Sequence, residues 1–274
     1  CRRERACKAK GGQRGVVVVG NHNILIGKRT VNGQGIIGTG CGGRRTDARH
    51  RADFCRDVCQ RIRAGYRYCR GGTVIGDIKR GGSCNAVIAT IDIHCSGTHT
   101  ESIRHIEDVD CNITDKCPLE LIPAYLVSIL PQPFCSANES YHCSLSSELV
   151  LTKESIQKKA IEKSEALIVR TLPNDRSKRV RNYDIDVPPF FTNEAIEVLH
   201  NIGIKHLLVD LPSIDKLDDD GQLGNHRKFF KNGETISELL YIPNNLKDGF
   251  GFLQIQIPNW NLDAAPSRPI FHPV

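Results

Sequence analysis

Charge divides this chain of 274 residues into two parts, and only the second has the pattern needed to build a core. Residues 1–70 contain 17 Lys and Arg against 4 Asp and Glu, whereas residues 71–274 contain 20 against 27. The first part therefore carries a net charge of +13 and the second −7. The first part has few apolar residues, so their burial cannot offset the conformational entropy lost on folding, which costs about 1 to 2 kcal/mol per residue. We expect residues 1–71 to be poorly structured and residues 72–274 to form the domain.

Three interpretations of residues 1–71 stay open. Clustered Arg and Lys are typical of an arm that neutralises nucleic-acid phosphates. Cys55, Cys59 and Cys69 could form a small zinc module, although they lack paired Cys-x-x-Cys spacing. Enrichment in Arg, Gly and Cys without periodicity is also typical of an out-of-frame or intron-derived translation, the interpretation we favour. The chain begins with Cys1 and contains no Met, so we expect it to be a fragment.

Residues 72–274 show strand and helix patterns in succession. Apolar and polar side chains alternate over residues 85–93, which predicts a half-buried strand that leads to His94. Thr152 and Thr192 are placed to cap helices, the first extending to Lys163 and the second ended by Gly203. Further strands are expected at residues 166–170, 206–211, 236–242 and 249–257. This succession predicts a mixed α/β domain with a right-handed crossover.

The segment from His94 to His105 contains three His and one Glu beside a Gly-Thr turn. His99 and Glu101 are two residues apart, so a short extended segment would point both side chains to one face. A bend at Gly97 could bring His94 round to meet them. Imidazole and carboxylate groups are ligands of zinc and similar ions. The pattern predicts a metal site, and the alternative is a polar loop whose His side chains only form hydrogen bonds.

This segment resembles the motif of the metal-dependent cyclase family, which includes bacterial kynurenine formamidases and isatin hydrolases. The motif is written His-x-Gly-Thr-His-x-Asp-x-Pro-x-His. The run from Gly97 to His99 and the later His105 keep their places, and Glu101 stands where the motif has Asp. His94 precedes His99 by five residues instead of four, and the Pro of the motif is absent.

A second His and Glu from far down the chain extend the resemblance, because His226 and Glu238 have the twelve-residue separation of the formamidases. Residues 210–215 and 263–268 also resemble family segments, so the likeness covers about residues 72–274. It implies a swivelling β/β/α cyclase-like fold with a central barrel-like mixed sheet. The implied metal ligands are His94 or a neighbour, His99, Glu101, His226 and Glu238.

The resemblance implies a metal-dependent hydrolase of a C–N amide bond. The lead substrate is an arylformamide such as N-formylkynurenine, a compound of tryptophan catabolism. One or two zinc or manganese ions would lower the pKa of a bound water from ~15.7 toward ~7. His105 would carry a proton to the departing nitrogen, because imidazole is a common general acid and base near neutral pH. Two alternatives stay open: an isatin-type lactam or lactone hydrolase, and a non-catalytic binding or scaffold member of the family. No substrate-binding residue is assigned.

Composition limits the setting and the partners. No run approaches the ~18 apolar residues of a membrane span, and no secretory signal is recognisable, so we expect a cytoplasmic protein. Twelve irregularly spaced Cys predict free thiols. We expect a small-molecule substrate, no membrane or nucleic-acid partner and, from the resemblance, a homodimer. His200 and His206 are expected to be capping or core groups, and residues 176–181 a solvated charge run.

Overall fold

The computed structural model describes the backbone of residues 17–18, 65–68, 70–71, 74–134, 139–183, 185–231 and 233–274, with side chains from residue 75 onward. The strands are β1 (Val17–Val18), β2 (Gly65–Tyr68), β3 (Arg70–Gly71), β4 (Val74–Ile75), β5 (Val87–Thr90), β6 (His99–Glu101), β7 (Ile122–Ile129), β8 (Gln132–Pro133), β9 (Leu149–Leu151), β10 (Ala166–Thr171), β11 (Phe190–Phe191), β12 (His206–Val209), β13 (Thr235–Glu238), β14 (Gly249–Gln256), β15 (Ala264–Pro266) and β16 (Arg268–Pro273). The α-helices are α1 (Ile113–Lys116), α2 (Lys153–Gln157), α3 (Asn193–Asn201) and α4 (Gly224–Phe229), and 3-10 helices span Ile78–Arg80, Ile103–His105 and Arg176–Val180. Among the helices described, none has both the length and the apolar character that a membrane crossing requires.

The described residues build one large mixed sheet of nine strands in the order β1-β16-β14-β7-β10-β12-β13-β6-β15. Its centre, β7-β10-β12-β13, is parallel, and the strands on both sides pair antiparallel. The sheet curls into a half-barrel. The prediction of a mixed α/β domain with a barrel-like sheet is therefore confirmed.

Strand β10 shows why the central strands form. All six of its residues are buried, as expected for a parallel strand covered on both faces. Leu167 and Val169 pack on one face with helices α2 and α3. Ile168 packs on the other face with Leu253 and Phe271 from the antiparallel side of the sheet. The parallel strands end at one edge of this core, and that edge carries part of the site described below.

The helix caps follow the sequence, but one helix is shorter than predicted. The Thr152 hydroxyl accepts a hydrogen bond from Ser155 N at 3.1 Å, and Thr192 caps α3 in the same way. Gly203 follows α3 with φ of +82°, a left-handed conformation that suits glycine. Helix α2 ends at Gln157, not Lys163, and three residues later Ala160 has φ of +46°, a left-handed conformation that no α-helix can continue through.

Two further predictions were wrong in part. The strand expected at residues 85–93 is the four-residue β5, whose side chains are exposed, not half-buried. Its only partner among the described strands is β2, so it lies outside the large sheet. In the charge run 176–181, Lys178 is buried because its Nζ donates to Asp210 Oδ2 at 2.8 Å and to the Thr171 hydroxyl.

Most of residues 1–71 lie outside the described part of the chain, including Cys55, Cys59 and Cys69. The proposed domain boundary and the three interpretations of this segment therefore stay predictions. Within it, β1 pairs antiparallel with β16, and β2 pairs antiparallel with β5. Four Cys residues among the described side chains are free thiols, as predicted: Cys84, Cys111, Cys117 and Cys143.

Candidate metal centre

Strand β6 places two of the predicted ligands, His99 and Glu101, on one face of the large sheet. His99 and Glu101 alternate with Thr100, whose hydroxyl bonds Ser237 at 2.7 Å on the opposite face. In the antiparallel register His99 lies directly opposite Glu238 of β13. A three-residue strand thus brings together side chains that are 139 positions apart.

The Gly-Thr turn before β6 ties these two strands to each other. The Thr98 hydroxyl donates to the carbonyl oxygen of Leu239 at 2.7 Å, one residue after Glu238. Leu239 itself has φ of +55°, a conformation that residues other than glycine rarely adopt. The turn therefore fixes the chain where it leaves β13, next to a candidate ligand.

His226 reaches the same place from helix α4. Its Nε2 lies 2.9 Å from Glu101 Oε1 and 3.5 Å from Glu238 Oε1. Its Nδ1 faces away from these carboxylates and lies 2.7 Å from Asp215 Oδ2. We call His99, Glu101, His226 and Glu238 the inner set, and each of its members is at most 4% exposed.

His94, His105 and Asp263 form a second layer, which we call the outer group. His94 Nδ1 lies 3.0 Å from Glu101 Oε2, and its Nε2 lies 2.8 Å from Asp263 Oδ2. The ring of His105 stacks on His94 at 4.1 Å, with its Nδ1 3.5 Å from Asp263 Oδ2 and its Nε2 3.8 Å from Glu101 Oε2. Side chains of the outer group are 27 to 32% exposed, so this layer faces solvent.

The two layers differ in their electrostatics. In the inner set, burial and the charge of Glu101 raise the pKa of Glu238 to about 7. Burial and the nearby His94 lower the pKa of His99 to about 4. In the outer group, burial disfavours the charged form of His94, but contacts with Asp263 and Glu101 raise its pKa to about 10. Contacts with His105 and His94 lower the pKa of Asp263.

A family model described as "Putative cyclase" matches residues 60–216, more than half of the chain. The chain belongs to this cyclase family. The kynurenine formamidase of Bacillus thuringiensis (strain Al Hakam) is 25% identical over 194 residues, which cover 70% of this chain and 82% of that protein. Isatin hydrolase A from Labrenzia aggregata has a similar fold, with a TM-score of 0.55 and 18% identity over 77% of this chain and 83% of that one. A predicted metal-dependent hydrolase from Bacillus stearothermophilus aligns with a TM-score of 0.50 and 18% identity over 76% of this chain and 86% of that one.

In this cyclase-family chain the six residues predicted for the site lie in one cluster, although their roles stay predictions. His94 joins it in spite of its unusual spacing from His99. The turn that carries it is closed by Asp92, whose carboxylate accepts from Cys95 N and whose carbonyl accepts from Ser96 N. The adjacent Cys95 is exposed.

Sequence reasoning did not assign two acidic residues that contact the cluster, Asp215 and Asp263. Asp215 holds His226 Nδ1, and Asp263 joins His94 to His105. Both stand in segments that resemble the family, residues 210–215 and 263–268, which is the signal that could have identified them. His200 and His206 lie outside the cluster and bond the Lys228 carbonyl and the Thr235 hydroxyl, as predicted for satisfied core groups.

The donor atoms of the cyclase cluster fit a divalent cation. His99 Nδ1 lies 3.0 Å from the Gly97 carbonyl, which can only accept, so Nδ1 carries the proton and Nε2 a lone pair. That Nε2 is buried without a hydrogen-bond partner in the described residues, 3.8 Å from both Glu101 Oε2 and Glu238 Oε2. Glu101 Oε2 also lacks an aligned hydrogen bond, although His94 Nδ1 is at ion-pair distance.

Two buried hydrogen-bond acceptors that face each other cost free energy unless a proton or a cation lies between them. Mixed imidazole and carboxylate donors suit zinc or manganese, and within this cluster three triads have ligand atoms within 4.8 Å of one another. The triads are Glu101-His226-Glu238, His94-His99-Glu101 and His94-His105-Asp263. Two of them share Glu101, so this carboxylate could bridge two ions.

Proposed function

We propose that this chain is a metal-dependent hydrolase that cleaves the C–N bond of an amide, with an arylformamide such as N-formylkynurenine as the lead substrate. The observation that carries the proposal is the unpartnered Nε2 of His99, which faces two buried carboxylates. The similarity to bacterial kynurenine formamidases over 82% of the length of one of them supports the substrate class.

The inner set, with His94, would hold one or two zinc or manganese ions. Bound there, the ion supplies Lewis acidity, which makes water nucleophilic near neutral pH and stabilises negative charge on a carbonyl oxygen. The residues supply the rest. Glu101 and Glu238 provide negative charge at a site where burial keeps bulk water out.

His105 is suited to move the proton that C–N cleavage requires. The departing nitrogen must gain a proton, because an amide anion is a poor leaving group. His105 Nδ1 faces Asp263 and its Nε2 faces Glu101, on the solvent side of the cluster. We propose that Nε2 delivers the proton to the nitrogen, while Asp263 holds the ring in place.

The experiment is a substrate panel on the purified full chain, first stripped with a chelator and then supplied with zinc or manganese. We expect hydrolysis of N-formylkynurenine and formanilide only after metal is added. His272→Ala, a histidine change on β16 outside the cluster, should leave the rates unchanged.

Other results of this panel would replace the proposal. Ring opening of isatin without formamide cleavage would assign the lactam or lactone alternative. Tight metal binding without turnover of any substrate would favour the non-catalytic member of the family. A homodimer, expected from the resemblance, stays a prediction that the elution volume and light scattering of the same preparation would test.

A further inference from the structure

Asp215 is a buried carboxylate that the proposed mechanism does not use, yet it contacts a proposed metal ligand. Its Oδ2 lies 2.7 Å from His226 Nδ1 and also accepts from the backbone N of His226 at 3.0 Å. Since the backbone N–H is a fixed donor, Oδ2 is held in line with the imidazole ring. Asp215 therefore fixes the ring orientation of His226 from the Nδ1 side, opposite the Nε2 that faces Glu101.

The second oxygen of Asp215 is fixed from the other side. Its Oδ1 accepts from Asn225 N at 2.9 Å and from the Tyr141 hydroxyl at 2.9 Å. The same hydroxyl accepts from Lys216 N at 2.7 Å, so it has to donate its own proton to Asp215. Four donors thus define the position of one carboxylate.

The neighbouring His142 and Asp219 complete this support and do not make a separate metal site. Asp219 accepts from three backbone N–H groups, those of Gly221, Gln222 and Leu223, and from His142 Nε2 at 3.0 Å. Its oxygens are therefore already used. The His142 ring packs so closely on Gly224 that a Cβ there would lie 2.2 Å from Nδ1. This contact fixes the first residue of α4, the helix that carries His226.

We propose that Asp215 is a positioning residue of the metal centre, which holds His226 as the Nδ1-protonated tautomer and so presents the Nε2 lone pair to the ion. The inference rests on the proposed function. A carboxylate behind a ligating imidazole fixes its tautomer and orientation and increases its donor strength, and loss of such a partner typically weakens metal binding about 10- to 100-fold.

The test measures zinc affinity of the full chain by chelator competition. Asp215→Asn keeps the shape but removes the negative charge, so we expect zinc affinity to fall about 10- to 100-fold. Asp248→Asn is the matched control, because Asp248 also accepts several hydrogen bonds, from Ser128 and Arg170, on another part of the sheet. Its zinc affinity should stay within about twofold of wild type.

A measurement on the unaltered chain covers the case in which Asp215→Asn does not fold. Long-range proton–nitrogen NMR of the zinc-loaded protein should show His226 with a proton on Nδ1 and none on Nε2. The opposite tautomer, or a folded Asp215→Asn with wild-type zinc affinity, would overturn the positioning role and leave the hydrolase proposal standing. A wild-type chain that binds neither zinc nor manganese would overturn both.

Discussion

The inner set and the outer group of this site contain the same kinds of side chain but are built differently. The inner set stands mainly on paired strands and a helix, is almost fully buried and contains both proposed ligand carboxylates. The outer group stands on a turn, a 3-10 helix and the residue before β15, and about a quarter to a third of each side chain is exposed. Rigid, dry mounting suits residues that hold a cation, whereas access to solvent suits a group that exchanges protons. On this comparison we propose that the first layer, together with His94, binds the metal, and that His105 and Asp263 of the second layer serve proton movement.

Removal of a carboxylate from the inner set is the strongest test of the assignment of metal binding to that layer. We expect Glu238→Ala to lower metal affinity by more than the ~100-fold upper value for loss of a supporting partner, and to abolish hydrolysis with it. Metal content and turnover of the same preparation provide the readout. Glu197→Ala, a glutamate change on the exposed side of α3, should affect neither. Retained metal in Glu238→Ala would remove this residue from the inner set.

Removal of His105 should separate catalysis from metal binding. We expect His105→Ala to reduce kcat by ~10² to 10⁴, the usual contribution of general acid and base catalysis, while the metal content stays unchanged. Elemental analysis beside steady-state kinetics distinguishes the two effects. If this variant released the metal at unchanged pH, His105 would belong to the ligands and the division would be misplaced.

Asp263→Asn should have a smaller effect, because Asp263 acts through His94 and His105. We expect kcat to fall about 10-fold, less than in His105→Ala, with little change in metal content. The double variant should be no slower than His105→Ala alone, since the carboxylate then has no catalytic imidazole to hold. Additive losses in the double variant would mean that Asp263 contributes independently of His105.

Replacement of His206 should have the smallest effect on the site, because this buried histidine lies outside both the inner set and the outer group. Burial lowers its pKa from 6.5 to about 4, so the unfolded chain binds more protons than the folded chain between these values. The contribution of His206 to the free energy of unfolding is fully present above pH 6.5, and the free energy of unfolding falls by roughly 3 kcal/mol as the pH drops to about 4. We expect His206→Gln to flatten this part of the stability curve in urea unfolding, with unchanged metal content. An identical pH dependence in the two proteins would contradict this assignment.

The sequence allowed prediction of the parts of the site that depend on local spacing. Two-residue spacing was enough to place His99 and Glu101 on one face, because a strand repeats every two residues. Cap residues located α2 and α3, since Thr152 and Thr192 act on amides only three residues away. The likeness to the family, not periodicity, singled out His226 and Glu238.

Features that depend on tertiary contacts were missed. Asp263 reaches His94 across 169 residues, and no local pattern encodes such a contact. Alternation in residues 85–93 predicted a strand but could not show that it pairs outside the large sheet. Lys178 looked like part of a solvated run, and only the folded chain brings Asp210 beside it.

Metal content of the purified full chain tests the central claim most directly. Inductively coupled plasma analysis of wild type, loaded with zinc or manganese and freed of excess ion, should give about one or two ions per chain. The matched Glu101→Gln variant should give far less, because this residue belongs to two of the three triads that the inner set and the outer group form. A well-folded wild-type chain without bound metal would contradict the account, because the buried lone pair of His99 would then face two carboxylates with no cation to join them.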